Sequence, residues 1–355
     1  MRNSEAILVT PGTMKIFDAP VPKPAKNEVL IEVEYVGICG SDVHGFESGP
    51  YIPPSDPNQR IGLGHEYAGT VVAVGDEVTD FRVGDRVCAE PGVPDGTCRY
   101  CLGGRYNICP DVDFLATQPR YRGALARFIT HPSNLVYHLP ENMSFIEGAL
   151  VEPAAVGMHA ALAGNARLGK KIVILGSGCI GLMVLQGCKS LGATEIVVVD
   201  VMPKRLEMAK KLGATWTVNA TKEDTVARCR EILSGGADIV FETAGAKVTA
   251  LQATDIVDRG GNIMIVGTIP EPVPIDFLKI NREVTIQTVF RYVNNYPMTI
   301  EAISQGRFDV ASMVSNVYDF EDVQHAFEES VSNKANIIKG VIKVGGSREP
   351  SEKGE

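Results

Sequence analysis

The stretch KKIVILGSGCIG, residues 170–181, decides how the rest of the chain is read. A short apolar strand, Lys171–Leu175, runs straight into Gly176, Gly178 and Gly181, spaced G-x-G-x-x-G, and the apolar residues beyond continue as a helix, Ile180–Leu191. Alone, three glycines so spaced are a weak signal. Between a strand and a helix each has a physical role. The first makes the turn, the second lets a pyrophosphate approach the backbone, and the third packs helix on strand. The phosphate charge then meets the positive end of the helix dipole. A second strand, Glu195–Val199, leads into Asp200, about twenty residues on, where a carboxylate accepts hydrogen bonds from an adenosine ribose and repels a 2'-phosphate. The expected cofactor is therefore NAD, held by Gly176, Gly178, Ile180, Gly181, Asp200, Arg205 and Val266, with Lys204 and Arg205 softening the preference over NADP.

Outward from this loop the alternation continues through a helix at Lys204–Leu212 and strands at Ala237–Phe241 and Asn262–Val266. Strands and helices alternating at this spacing predict a doubly wound parallel α/β sheet. The first 155 or so residues read differently. Val29–Glu34, Tyr67–Val74 and Leu135–His138 alternate as strands, and VGDEVTDFRVGDRV (74–87) reads as short strands joined by Gly-Asp turns. An alanine-rich stretch, GALVEPAAVGMHAALAGNARL (148–168), predicts a helix between the two regions. After about Phe290 the pattern is mixed, ending in a strand at Lys339–Val344 and a polar tail, GGSREPSEKGE (345–355), expected to be disordered.

A chain of 355 residues with 45% hydrophobic content can build more than one core, so two domains are expected. The net charge of -9 argues against nucleic acid as a partner and says little about small molecules. No stretch approaches the ~20 uncharged apolar residues of a membrane span, and MRNSEAILVTPG lacks the basic-then-apolar order of a secretory signal. A cytoplasmic location is the expectation. There the eight cysteines should be metal ligands or small core residues rather than disulfides. Cys179, Cys188 and Cys229 read as core.

Two clusters have ligand chemistry. Cys39, Ser41 and His44 lie in CGSDVH, with His65 and Glu66 in GHE and Glu152 far along the chain. Thiolate, imidazole and carboxylate suit a zinc ion with one open position. The second cluster is Asp95, Cys98, Cys101 and Cys109. Close cysteines of this kind usually make a closed structural zinc site, but aspartate suits a thiolate-rich site less well than sulfur, and a metal-free loop stays open as the alternative.

With these residues in hand, the sequence resembles the zinc-dependent medium-chain dehydrogenases, and within them the polyol (sorbitol or xylitol) branch. The likeness is carried by VGICGSDVH (36–44), GHEYAG (64–69), CRYCLGGRYNIC (98–109), VEPAAVGMHA (151–160), GSGCIG (176–181) and FRYVNNYP (290–297). It implies a GroES-like β-rich catalytic domain formed by residues 1–155 and 293–355, interrupted by a Rossmann domain over 156–292. It also implies a homo-oligomer, dimer or tetramer. Cys39, His65 and Glu66 correspond to the catalytic zinc ligands, with Glu152 beside the metal, directly or through water. Arg291 and Tyr292 match the pair that orients polyol hydroxyls, and Phe114 and Thr117 match pocket positions. Other secondary-alcohol dehydrogenases, for butanediol, threonine or a phosphorylated galactitol, and a catalytically silent NAD-binding protein are the competing readings.

Two features depart from the polyol pattern. Gly45 stands where an aromatic residue is common, which should open the pocket and weakens the substrate reading, and Asp95 replaces the first structural cysteine. The segment Gln118-Pro-Arg120-Tyr-Arg122 is also more basic than the corresponding loop, as a site for a phosphorylated polyol or a solvated surface would be. The mechanism expected is hydride transfer to nicotinamide from an alcohol activated by zinc as a Lewis acid. Ser41 would take the hydroxyl proton and pass it, through the nicotinamide ribose, to His44.

Overall fold

Strands buried on both faces need apolar side chains on both, and Ile172, Val173, Ile174 and Leu175 are all fully buried. They form the centre of a parallel sheet in a computed structural model that describes residues 2–56, 58–117 and 119–345. Gln118 and the tail from Gly346 onward lie outside those residues. The chain divides into two compact units, one running to Glu152 and resuming at Val314, the other spanning Pro153–Met313.

The sheet of the second unit has six strands in the order Trp216–Asn219, Glu195–Asp200, Lys171–Leu175, Ala237–Glu242, Val257–Ile265 and Thr285–Thr288. The order reverses at Lys171–Leu175, which pairs with Glu195–Asp200 on one side and Ala237–Glu242 on the other. That switch point is where open α/β sheets bind their ligands. The expected Rossmann architecture is present. Two of its strands, WTVN at 216–219 and TIQT at 285–288, have no apolar run to announce them, since both lie at sheet edges. The unit also extends further than 292. Asn295 donates to the Ala155 carbonyl (2.9 Å) and the Asp309 amide to Gln186 Oε1 (2.6 Å), so the chain returns to the first unit at Met313–Val314 rather than near residue 293.

The first unit is the GroES-like β-rich domain. Its long strand Glu28–Gly37 pairs with Glu66–Val74, Phe128–Pro132 and the C-terminal strand Lys339–Lys343. Val29, Ile31, Val33 and Val36 project from it into a core shared with Val71, Leu125 and Phe327. The pairing Val341↔Gly37 brings the strand Lys339–Lys343 beside the residues just before Cys39. Among the described residues no helix is long and apolar enough to cross a membrane.

Candidate active site

The glycine loop is built as its spacing requires. Gly176 has φ +100, and a Cβ there would lie 2.9 Å from the Ala244 amide nitrogen. A Cβ at Gly181 would collide with the Gly176 carbonyl oxygen, which makes this the tight helix–strand contact. At Gly178, the N-cap of the helix Cys179–Ser190, a Cβ would meet only Arg205 Nη1 at 3.9 Å. That is the open side, where a phosphate can approach backbone N–H groups. Ile180, in the first turn of that helix, and Val266, just past the strand Val257–Ile265, are half-buried. Asp200 is engaged within the protein itself. Its Oδ2 accepts from the Ser177 amide (2.6 Å) and hydroxyl (2.9 Å), and its Oδ1 from the Met202 amide (2.9 Å), so it clamps the glycine loop. Glu242, unmarked by sequence reasoning, is fully buried and knits the adjacent turn by accepting from the amides of Ala244 and Gly245 and from the Thr249 hydroxyl.

In the first unit the ligand atoms of Cys39, His65 and Glu66 lie within 4.8 Å of one another. Cys39 is the N-cap of the helix Gly40–Ser48, and His65 immediately precedes the strand Glu66–Val74. Asp42, at N3 of that helix, ties the two segments together. Its carboxylate accepts from the Cys39 amide (3.1 Å) and the Gly64 amide (2.9 Å), and faces His65 Nδ1 at 3.6 Å. Burial works against the Asp42 charge, yet His65 and the two amides hold its pKa below the usual value. Burial also opposes an imidazolium at His65, but the Asp42 and Cys39 charges raise its pKa well above normal. The pocket thus favours positive charge, and the buried His65 Nδ1 has no hydrogen-bond partner. Sulfur, nitrogen and oxygen donors in a cation-seeking pocket fit a zinc ion.

Glu66 is held from behind. Lys339 Nζ lies 2.6 Å from its Oε1 and 2.5 Å from its Oε2, and also donates to the Ile38 carbonyl (2.9 Å). A Cβ at Gly37 would collide with Glu66 Oε2, which explains the glycine. Glu152, buried on the first turn of the helix Val151–Ala163, stands outside the converging three. Phe114 packs tilted on His65, with ring centroids 5.3 Å apart, and the exposed Thr117 hydroxyl donates back to the Phe114 carbonyl. Ser41 is exposed, and His44 stacks on Tyr51 with centroids 3.9 Å apart. Gly45 is buried, and a Cβ there would come within 3.4 Å of the Leu63 side chain. In the second unit Arg291 takes the left-handed conformation (φ +52) over the Phe290 ring, and the buried Tyr292 packs edge-on against Tyr296.

The second cluster also assembles. The ligand atoms of Asp95, Cys98, Cys101 and Cys109 lie within 4.8 Å of one another. Asp95 Oδ1 accepts from the amides of Cys98 (2.8 Å) and Thr97 (2.6 Å), which push its pKa down to about 2. It is therefore a carboxylate at any ordinary pH. Between Cys101 and Cys109, Tyr106 donates to the buried Glu90 at 3.1 Å, joined by Tyr137 at 3.4 Å.

Burial pushes the Glu90 pKa from 4.5 up to about 7, against the pull of the two phenols and helped by the Glu152 charge. An acid whose pKa is raised on folding binds its proton more tightly in the native state. Stability is then whole below pH 4.5 and falls as pH rises toward 7. Glu90→Gln should consequently be more stable than the wild type at pH 8 by on the order of 3 kcal/mol, with no advantage at pH 4. Urea melts across that range check it, and an advantage that did not grow with pH would refute the assignment.

Residues 25–141 match the alcohol dehydrogenase GroES-like domain family, and residues 179–305 match the zinc-binding dehydrogenase family. The chain is 69% identical over 345 residues to YdjJ, an uncharacterized zinc-type alcohol dehydrogenase-like protein of Escherichia coli K12, covering 97% of this chain and 99% of that one. It is 40% identical over 350 residues to a sorbitol dehydrogenase of Bacillus subtilis, covering 95% and 96%. A crystal structure of an Escherichia coli oxidoreductase/dehydrogenase of unknown specificity involved in membrane biogenesis superposes with a TM-score of 0.96 at 69% identity, over 97% of this chain and all of that one.

Proposed function

The chain belongs to the zinc-binding medium-chain alcohol dehydrogenases, NAD(H)-using oxidoreductases, and from that premise we propose that it oxidises a secondary hydroxyl of a sorbitol- or xylitol-like polyol to a ketose. The observation that carries the chemistry is the convergence of Cys39, His65 and Glu66. The substrate class rests on likeness to a sorbitol dehydrogenase over nearly the whole chain, on the carboxylate at Glu152, and on Arg291 and Tyr292, which we assign to the substrate hydroxyls. Phe114 and Thr117 would line the substrate pocket.

Cys39, His65 and Glu66 would hold the catalytic zinc, with Glu152 near it, and Asp95, Cys98, Cys101 and Cys109 a structural one. Bound there, zinc would supply Lewis acidity toward the alcohol oxygen, and NAD would serve as the hydride acceptor. The protein's own residues bind, align and manage the proton. Phe114 excludes water beside His65, and Asp42 fixes the spacing of Cys39 and His65. Gly178 and the helix behind it receive the cofactor phosphates, and Asp200 the adenosine ribose. Ser41 takes the substrate proton and His44 exchanges it with solvent. The uncharged edge strand Thr285–Thr288, exposed along its length, supports self-association into a dimer or larger assembly.

A substrate panel followed by NADH absorbance tests the class. Sorbitol or xylitol should exceed butanediol, threonine and galactitol 1-phosphate by about tenfold or more in kcat/KM, and a reversed order would overturn the polyol reading. Ser41→Ala should lower kcat by about a hundredfold while zinc content stays unchanged. An unaltered kcat would remove Ser41 from the proton path.

A further inference from the structure

A cavity of about 230 Å³ opens in the first unit beside the strand Asn3–Thr10. Ile7, Leu115 and Phe128 give it apolar walls, and Arg60, Arg120 and Arg122 line it as well. Their charge is poorly matched. Arg120 Nε and Arg122 Nη2 share a single oxygen, Oδ2 of Asp113, at 3.2 and 3.6 Å. Arg60 lies over the Phe17 ring, 5.1 Å from its centroid, and none of the ion pairs among the described residues involves it. Among the described residues lining the cavity the one carboxylate is Glu5, on the strand itself. Arg122 Nε is buried and has no acceptor. A buried guanidinium N–H left without an acceptor is costly, and the usual remedy is a bound group.

We propose that this cavity binds an oxyanion carried on a short apolar body, a carboxylate or a phosphate monoester, gripped by Arg60, Arg120 and Arg122. Guanidinium forks match both head groups in geometry and charge. The apolar walls take the body of the ligand. This is not the substrate's place, because Cys39, His65 and Glu66 do not line the cavity. The basic segment around Arg120 and Arg122 therefore faces a separate ligand rather than the phosphate of a phosphorylated polyol. The two places are nonetheless adjacent in the chain. Leu115 and Gly62 line the cavity, and Leu115 follows Phe114, which packs on His65. An occupant thus presses on the loops that hold the zinc-site histidine, as an effector would.

Isothermal titration of the zinc-loaded protein at fixed ionic strength, with inorganic phosphate and with hexanoate, tests the proposal. At least one probe should bind saturably at one site per chain, equally well with or without saturating NAD+. Phosphate binding alone identifies a phosphate monoester as the ligand type, and hexanoate binding alone a carboxylate. The double variant Arg60→Met/Arg122→Met should lose about tenfold or more in affinity. Arg60 is exposed, so Arg60→Met by itself should fold normally and weaken binding about threefold, which keeps the test intact if the double variant fails to fold. Absence of saturable binding of either probe in the wild type, or unchanged affinity in a folded variant, would overturn the proposal.

Discussion

Replacing Cys39 with alanine should lower kcat/KM by about a thousandfold or more and remove one zinc ion per chain. The size follows from what the ion supplies: Lewis-acid stabilisation amounts to several kcal/mol, and each 1.4 kcal/mol or so is a factor of ten in rate. The loss of metal follows from the donor set. Three ligand atoms converge at this place, and zinc is held by about four ligands, one of them exchangeable in a catalytic site. Without the thiolate, His65 and Glu66 remain, and Glu66 is already engaged by Lys339. Two donors, one of them shared with an ammonium group, do not hold zinc against dialysis. The helix Gly40–Ser48 should survive, because Asp42 still accepts from the residue-39 amide at its N-terminus. Cys98→Ser is the matched control: it should also remove one ion, from the other cluster, with a lower melting temperature and much of kcat retained. Metal analysis beside steady-state kinetics decides the matter. Full activity in zinc-depleted Cys39→Ala would end the case for a catalytic metal.

How much of this was legible in the sequence depends on how local the signal was. The glycine loop was, because turn, phosphate approach and helix contact are set by residues within six positions, and Gly176, Gly178 and Gly181 meet the surroundings those roles require. The ligand cluster was legible through residue type, which grouped Cys39 with His65 and Glu66 across the intervening 25 or so positions, and the family likeness implied the same ligand set. Asp42 was open to discovery, since an acid three residues after an N-cap is a capping pattern. Lys339 was not. Its contact with Glu66 spans 273 residues and exists only because the last strand pairs with Glu28–Gly37. The polar edge strands 216–219 and 285–288 escaped for a related reason: a strand that buries little carries no alternation to read.

Lys339→Met should destabilise the zinc-free protein by about 3–5 kcal/mol, the cost of stranding one charge of a buried pair. Both partners are almost wholly enclosed, with side-chain exposures of 2% and 1%. The methionine keeps most of the apolar stem but leaves the Glu66 carboxylate and the Ile38 carbonyl without their donor. Two further measurements separate a charge effect from lost packing. Glu66→Gln in the same chain removes the stranded charge, so Lys339→Met/Glu66→Gln should recover most of the loss in urea denaturation. Added zinc brings a second cation to the same carboxylate, so the penalty of Lys339→Met should shrink as the site fills, by the linkage that stabilises any state binding its ligand. If zinc left the difference between wild type and Lys339→Met unchanged, Glu66 would be a structural anion held by its lysine and not a group shared between lysine and metal. The ion pair would then serve only to pin the C-terminal strand to Glu28–Gly37, and the coordination proposed for zinc would have to come from Cys39, His65 and a donor other than Glu66.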